Sequence, residues 1–201
     1  MFGQSLLSGA FGTALVPDEN FGINLHTGTG ANQSIGGKIK GAASFNGSSS
    51  YIDTNYTLPA VSTISFSLWF KTSSTAYRHC IFGDFDASGN DNSARFSLFV
   101  NASNNFEVIF GNGSTDDTWN SISASSYLDG NWHHAVLTGD GTALKLYVDG
   151  SLIGTDTFGV AVGTAGAQSM VLGRIGDYSG GYWNGQLDQF RIFTSTLTQS
   201  Q

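Results

Sequence analysis

One cysteine, two prolines and two glutamates stand among 201 residues, and no long apolar run accompanies them. Each scarcity excludes something. A lone Cys80 can close no internal disulfide, so the chain is not a stapled scaffold; within the strand pattern 79–85 it reads as a small buried hydrophobe rather than a reactive thiol. Eight Lys plus Arg against fifteen Asp plus Glu leave a net charge of −7, with no basic run to neutralise phosphates, which argues against nucleic acid. Glu occurs only at Glu19 and Glu107, so chemistry that depends on paired Glu has little to draw on. No stretch approaches the ~18 apolar residues of a membrane span, so no membrane insertion is expected. The opening MFGQSLLSGAFGTALV has no Lys or Arg ahead of its apolar residues, so no signal peptide is expected and synthesis is placed in a reducing cytosol.

What is present is a 40% hydrophobic, 13% aromatic chain with 27 glycines, enough apolar material for one core and too little charge for disorder. From Ala42 onward a two-residue period dominates. Ile64, Phe66, Leu68 and Phe70 face one way and Ser65, Ser67 and Trp69 the other; Phe96, Leu98 and Val100 repeat this, as do Phe106, Val108 and Phe110. In the strand at 131–137, Trp132 and Val136 are expected to alternate into the core. Asp149-Gly150 between two apolar runs predicts a type I′ hairpin, and Asn46-Gly47 another turn. Further strands are expected at 170–175 and 186–193. Ten to twelve short strands with no helical period predict an all-β fold, a two-sheet antiparallel β-sandwich with an N-terminal arm.

Four stretches in order resemble the laminin-G-like, concanavalin A-like jelly rolls that include pentraxins and many adhesion modules. They are Gly37-Lys38 through Asn46-Gly47 with Tyr51-Ile52; Ile64 through Lys71; Trp132-His133-His134 through Asp149-Gly150; and Asn184 through Phe193. The resemblance implies a jelly roll over 37–201, with residues 1–36 as an arm or docking segment. Asn20-Phe21-Gly22 and Thr27-Gly28-Thr29-Gly30 are similar to short repeats of tailed-phage structural proteins, which implies that the arm docks onto virion proteins. After Leu197-Thr198 the similar proteins continue into an acidic segment, so a short chain or a fragment is expected.

Most motif residues carry structural readings. Asp188 is expected to tie down a loop through backbone N–H groups, since a carboxylate near a strand start can accept several. His133 and His134 point to opposite faces of a strand and cannot share one metal. Glu107 has no acid two residues away and reads as a solvent-facing strand residue, so the carboxylate pair of a glycoside hydrolase is missing and no enzyme is expected. For calcium, Asp84, Asp86, Ser88 and Asn90 offer oxygens at alternating positions like the first half of a calcium loop, but the twelfth place is Arg95.

Carbohydrate binding needs an aromatic face to stack on C–H groups, with amides or carboxylates for the hydroxyls. The loop carrying Asp177, Tyr178, Tyr182, Trp183 and Asn184 combines them, and Trp119 is a second aromatic in a polar loop beside Asp116 and Asp117. The expected protein is a non-catalytic glycan-binding or adhesion module on a virion surface, whose partner is a glycan or host-surface receptor, with homo-oligomerisation open. The competing readings are a structural decoration protein that binds no glycan and, third, a glycan hydrolase.

Overall fold

The computed structural model describes residues 4–5, 26–27, 32–39, 41–75, 78–84, 96–111, 116–157, 169–174 and 181–200. In chain order its strands are β1 (Gln4–Ser5), β2 (His26–Thr27), β3 (Asn32–Gly36), β4 (Gly41–Asn46), β5 (Ile52–Thr57), β6 (Ile64–Lys71), β7 (His79–Gly83), β8 (Phe96–Val100), β9 (Asn105–Gly111), β10 (Asp116–Ser123), β11 (His133–Gly139), β12 (Ala143–Val148), β13 (Ser151–Thr157), β14 (Ser169–Leu172) and β15 (Asn184–Phe193). They form two antiparallel sheets. One has eight strands, in the order β13-β12-β11-β6-β15-β4-β3 with β1 added beside β15; the other has seven, β10-β9-β8-β7-β14-β5-β2. The three short strands within residues 1–36 thus pair with sheets of their own chain. Among the described residues no helix is long and apolar enough to cross a membrane.

The two inner faces meet in one core. From the eight-stranded sheet come Ile64, Phe66, Leu68 and Phe70, all within 1% of complete burial, as their alternation requires. From the other come Phe82, Phe96, Leu98, Val100, Phe106, Val108 and Phe110. Phe66 bridges the layers, its ring 4.6 Å from Phe82 and 4.9 Å from Phe96. Burying each such ring contributes about 2–3 kcal/mol, so this aromatic seam sets the spacing of the layers.

Several local expectations are met. The β12–β13 hairpin turns on Asp149 and Gly150, both at positive φ (51° and 79°), as a type I′ turn demands. Asn46 holds the β4–β5 turn by accepting from the backbone N–H groups of Ser48, Ser49 and Ser50. Cys80 is fully buried against Phe99 and Ile109, and burial pushes its thiol far above the ordinary range, so the group is inert. Asp188 accepts from Ile39 N–H at 2.8 Å, and a Cβ on Gly37 would come 2.6 Å from its Oδ2. Glycine at 37 therefore lets the loop 37–39 lie directly on the carboxylate.

Three expectations are corrected. In β11 the inward residues are Ala135 and Leu137; Trp132 and Val136 are half-buried, with Val136 opposite Ser67 on the outer side. Glu107 is not solvent-facing: it is 9% exposed and paired with Arg78 at 2.8 Å, because Arg78 lies across Phe99 beside it. Trp119 lies in strand β10 rather than in a loop, and Val108 opposite it draws it into the core.

Candidate functional site

Several connections meet at one end of the sandwich. At the close of β6, Phe70 points into the core, so Lys71 points outward, and the chain leaves through Thr72, Ser73 and Ser74. Thr72 Oγ1 donates to the Asn184 carbonyl at 2.6 Å and accepts from Ser74 N–H at 3.0 Å. Gly130 N–H donates to the Thr72 carbonyl at 2.9 Å, which brings in the segment before β11. Gly47 N–H donates to the Trp183 carbonyl at 2.9 Å, which adds the β4–β5 turn. At Gly185 a Cβ would collide with the Lys71 carbonyl and lie 3.0 Å from Trp183 Nε1, so a residue without a side chain is required there.

Between these segments lies an open groove of about 470 Å³, lined by Lys71, Thr72, Ser73, Ser74, Gly130, Asn184, Gly185 and Gln186. Its lining offers hydroxyls, two carboxamides and one ammonium, and contains no carboxylate. Gln186 sits directly opposite Lys71 across β15 and β6, with Ser44 opposite Gln186 on β4, so the three form one rung on the outer face.

Beside the groove, His133 joins two carboxylates. Its Nδ1 lies 2.7 Å from Asp149 Oδ2 and its Nε2 3.1 Å from Asp129 Oδ1. A neutral imidazole has only one N–H, so two carboxylate partners suit the imidazolium. Burial pulls the His133 pKa down, but the hydrogen bonds from Asp149 and Asp129 outweigh it and leave it raised. Asp129 is lowered to about 2, first by the Asn131 side chain and backbone and then by His133. Asp149 is also lowered: burial opposes ionisation, and hydrogen bonds from His133 and the His134 N–H prevail. His134, on the opposite face, sits 2.9 Å from Ser67 Oγ and is lowered by burial. The two histidines are separated as their adjacency on a strand requires. Among the described residues no group of three His, Cys, Asp or Glu could hold a metal ion.

Among the described residues singled out for carbohydrate, Asn184 alone lines the groove. Trp183 is fully buried, with its ring edge-on to Phe70 at 6.3 Å and to His79 at 5.7 Å. Trp119 is 5% exposed, and its Nε1 donates to Ser121 Oγ. Neither indole presents a face for stacking, because both plug the core. Tyr182 is half-buried between two buried residues, and Asp177 and Tyr178 lie outside the described residues. On the calcium side, Asp84 is fully buried and its Oδ1 accepts from Phe96 N–H at 2.8 Å; Asp86, Ser88 and Asn90 lie outside the described residues. Lys71, Thr72, Ser73, Ser74, Gly130 and Gln186 were not foreseen. The available signal was the abrupt change after Phe70 from alternation to the polar run Lys71-Thr72-Ser73-Ser74.

The fold and its motifs converge on one class. Residues 45–201 match the laminin-G-like family described as the concanavalin A-like lectin/glucanases superfamily, and the chain belongs to it. Among solved structures it is similar to the binding domain of botulinum neurotoxin serotype D, at 15% identity and TM-score 0.68 over 93% of this chain and 47% of that one. The chain thus spans about half the length of that relative. It is also similar to domain 4 of an extracellular arabinanase from Geobacillus stearothermophilus, solved with arabinotriose, at 24% identity and TM-score 0.62 over 91% of this chain and 81% of that one. A third likeness is the carbohydrate-binding module of a Ruminococcus gnavus sialidase bound to α2,3 sialyllactose, at 17% identity and TM-score 0.58 over 70% of this chain and 80% of that one. No curated protein matches the sequence.

Proposed function

We propose that the protein is a non-catalytic carbohydrate-binding module whose ligand occupies the groove between Lys71–Ser74, Gly130 and Asn184–Gln186. The observation that carries this reading is the lining itself: carboxamides and hydroxyls that match sugar hydroxyls, on strand ends held by direct backbone hydrogen bonds. Hydrolysis by paired carboxylates would need two acids about 5–10 Å apart across the ligand, and the lining supplies none. Two structurally similar domains, those of the arabinanase and the sialidase, were solved with oligosaccharides, which lends the reading support.

The same proposal sets the module on a virion surface, recognising a host glycan, with residues 1–36 facing other virion proteins. It rests on the phrases Asn20-Phe21-Gly22 and Thr27-Gly28-Thr29-Gly30. A glycan array tests the binding reading. The wild-type chain is expected to retain a defined subset of glycans, and Asn184→Ala with Gln186→Ala to lose them at unchanged melting temperature. Retention by the double variant would move the site elsewhere.

A further inference from the structure

The groove is one end of a basic strip, which bears on the chemistry of what it takes. Lys71 and Trp69 lie two residues apart on β6 and so share its outer face, about 7 Å apart. Lys38, on the exposed loop 37–39, holds its Nζ 4.7 Å from the centre of the Trp69 ring. One rung further, Arg191 sits opposite Ser67 on β15, the neighbouring strand. Three of the eight Lys and Arg of a chain with net charge −7 are therefore gathered on two adjacent strands and the loop above them.

Lys38 leans on the Trp69 ring, but none of these charges is matched by a carboxylate partner among the described residues. Arg191 donates only to the neutral Gln189 side chain, at 2.8 Å. The acids nearby are engaged elsewhere. Asp188, between the cations on β15, is fully buried, and its Oδ2 accepts from the Ile39 N–H at 2.8 Å. Asp129, next to Gly130, and Asp149, in the β12–β13 turn, are bound to His133. The contrast with the opposite sheet is clear, where Arg78 is matched to Glu107. An ammonium can donate to neutral sugar hydroxyls, but its charge favours an anionic group over a neutral one at the same place. An acidic protein that gathers free cations at a polar groove lowers the electrostatic barrier to an anion at that place.

We infer that the groove takes an anionic glycan, one whose carboxylate or sulfate group is received by Lys71, with Arg191 and Lys38 beyond it receiving the next charges along the chain. This rests on the groove being the glycan site, and names the class of sugar it selects.

The test uses matched pairs that differ only in charge: oligogalacturonate against its carboxyl-reduced counterpart, and dextran sulfate against dextran, titrated calorimetrically into the full chain. At low salt the charged member of at least one pair is expected to bind about tenfold more tightly than the neutral one, the worth of one charge-assisted hydrogen bond. That advantage shrinks as salt rises from about 20 mM to about 300 mM, through screening. Lys71→Gln is expected to remove the advantage at unchanged melting temperature, while Asn184→Ala weakens both members of each pair. Equal affinity for the members of both pairs, with both lost in Asn184→Ala, overturns the anionic preference but keeps the groove as a glycan site. A charge advantage that survives Lys71→Gln overturns the assignment to Lys71. Poly-glutamate bound as tightly as oligogalacturonate shows that the strip reads charge without sugar, and overturns the glycan class. No binding of any of the four by the folded chain removes the groove reading and this inference with it.

Discussion

His133 is where a single proton matters most. Protonated, it satisfies Asp129 and Asp149 together; neutral, it must turn a lone pair toward one of them. Its pKa is raised above the 6.5 of a free imidazole, so its contribution to stability is fully present below pH 6.5 and lost as pH rises through the folded value. Asp129 and Asp149 are lowered, so their contribution is present above 3.8 and lost on acidification. His134, whose pKa burial depresses, acts in the opposite sense to His133. The melting temperature of the wild type is therefore expected to fall as pH rises above 6.5 relative to that of His133→Gln, where this component is absent. Parallel pH profiles for the two proteins, measured by scanning calorimetry, would contradict this. The His133 partnership was not legible in the sequence: opposite faces for the adjacent histidines follow from the strand period, but Asp149 is supplied by a hairpin turn and Asp129 by the segment before β11.

At the scale of elements, glycines decide where strands end and where they touch. Gly173 follows β14 at φ 81°, and a Cβ there would collide with the Phe45 ring. Its N–H donates to the Ile81 carbonyl and its carbonyl accepts from Trp183 N–H, so it ties β7 to the entry of β15. Gly173→Ala is expected to cost about 2–4 kcal/mol, combining left-handed strain with overpacking. Gly150→Asn, at a turn with open space around it and a φ that Asn tolerates, is expected to change stability by less than about 0.5 kcal/mol. Chemical denaturation of the two variants checks the contrast, and equal effects would show that packing at Gly173 is misassigned. Strands were legible where only one alternation is apolar, as in β6. They were misread where both are, as in β11: Trp132 and Val136 compete with Ala135 and Leu137, and only the pairing of Val136 with Ser67 decides. Trp119 was misread as a loop residue because Asp117 and Thr118, exposed in β10 just before it, are as polar as a loop.

Over the whole molecule the sandwich separates its tasks. One aromatic core between the sheets supplies stability; the outer face of the eight-stranded sheet carries the cation strip; and strand ends joined by backbone hydrogen bonds shape the groove. The architecture was legible from the period-two patterns and turn signals, since these are local. The groove was not, because it is made by residues such as Lys71 and Gln186 that meet only through sheet register. Trp119 and Trp183, two of the aromatic residues that sequence favours as sugar platforms, serve the core instead. The most direct measurement is an amide ¹H–¹⁵N titration of the folded chain with oligogalacturonate at low salt. The account predicts shifts concentrated at Lys71, Thr72, Ser73, Gly130, Asn184 and Gln186. Shifts confined to the seven-stranded sheet, or none at saturating ligand, would contradict it.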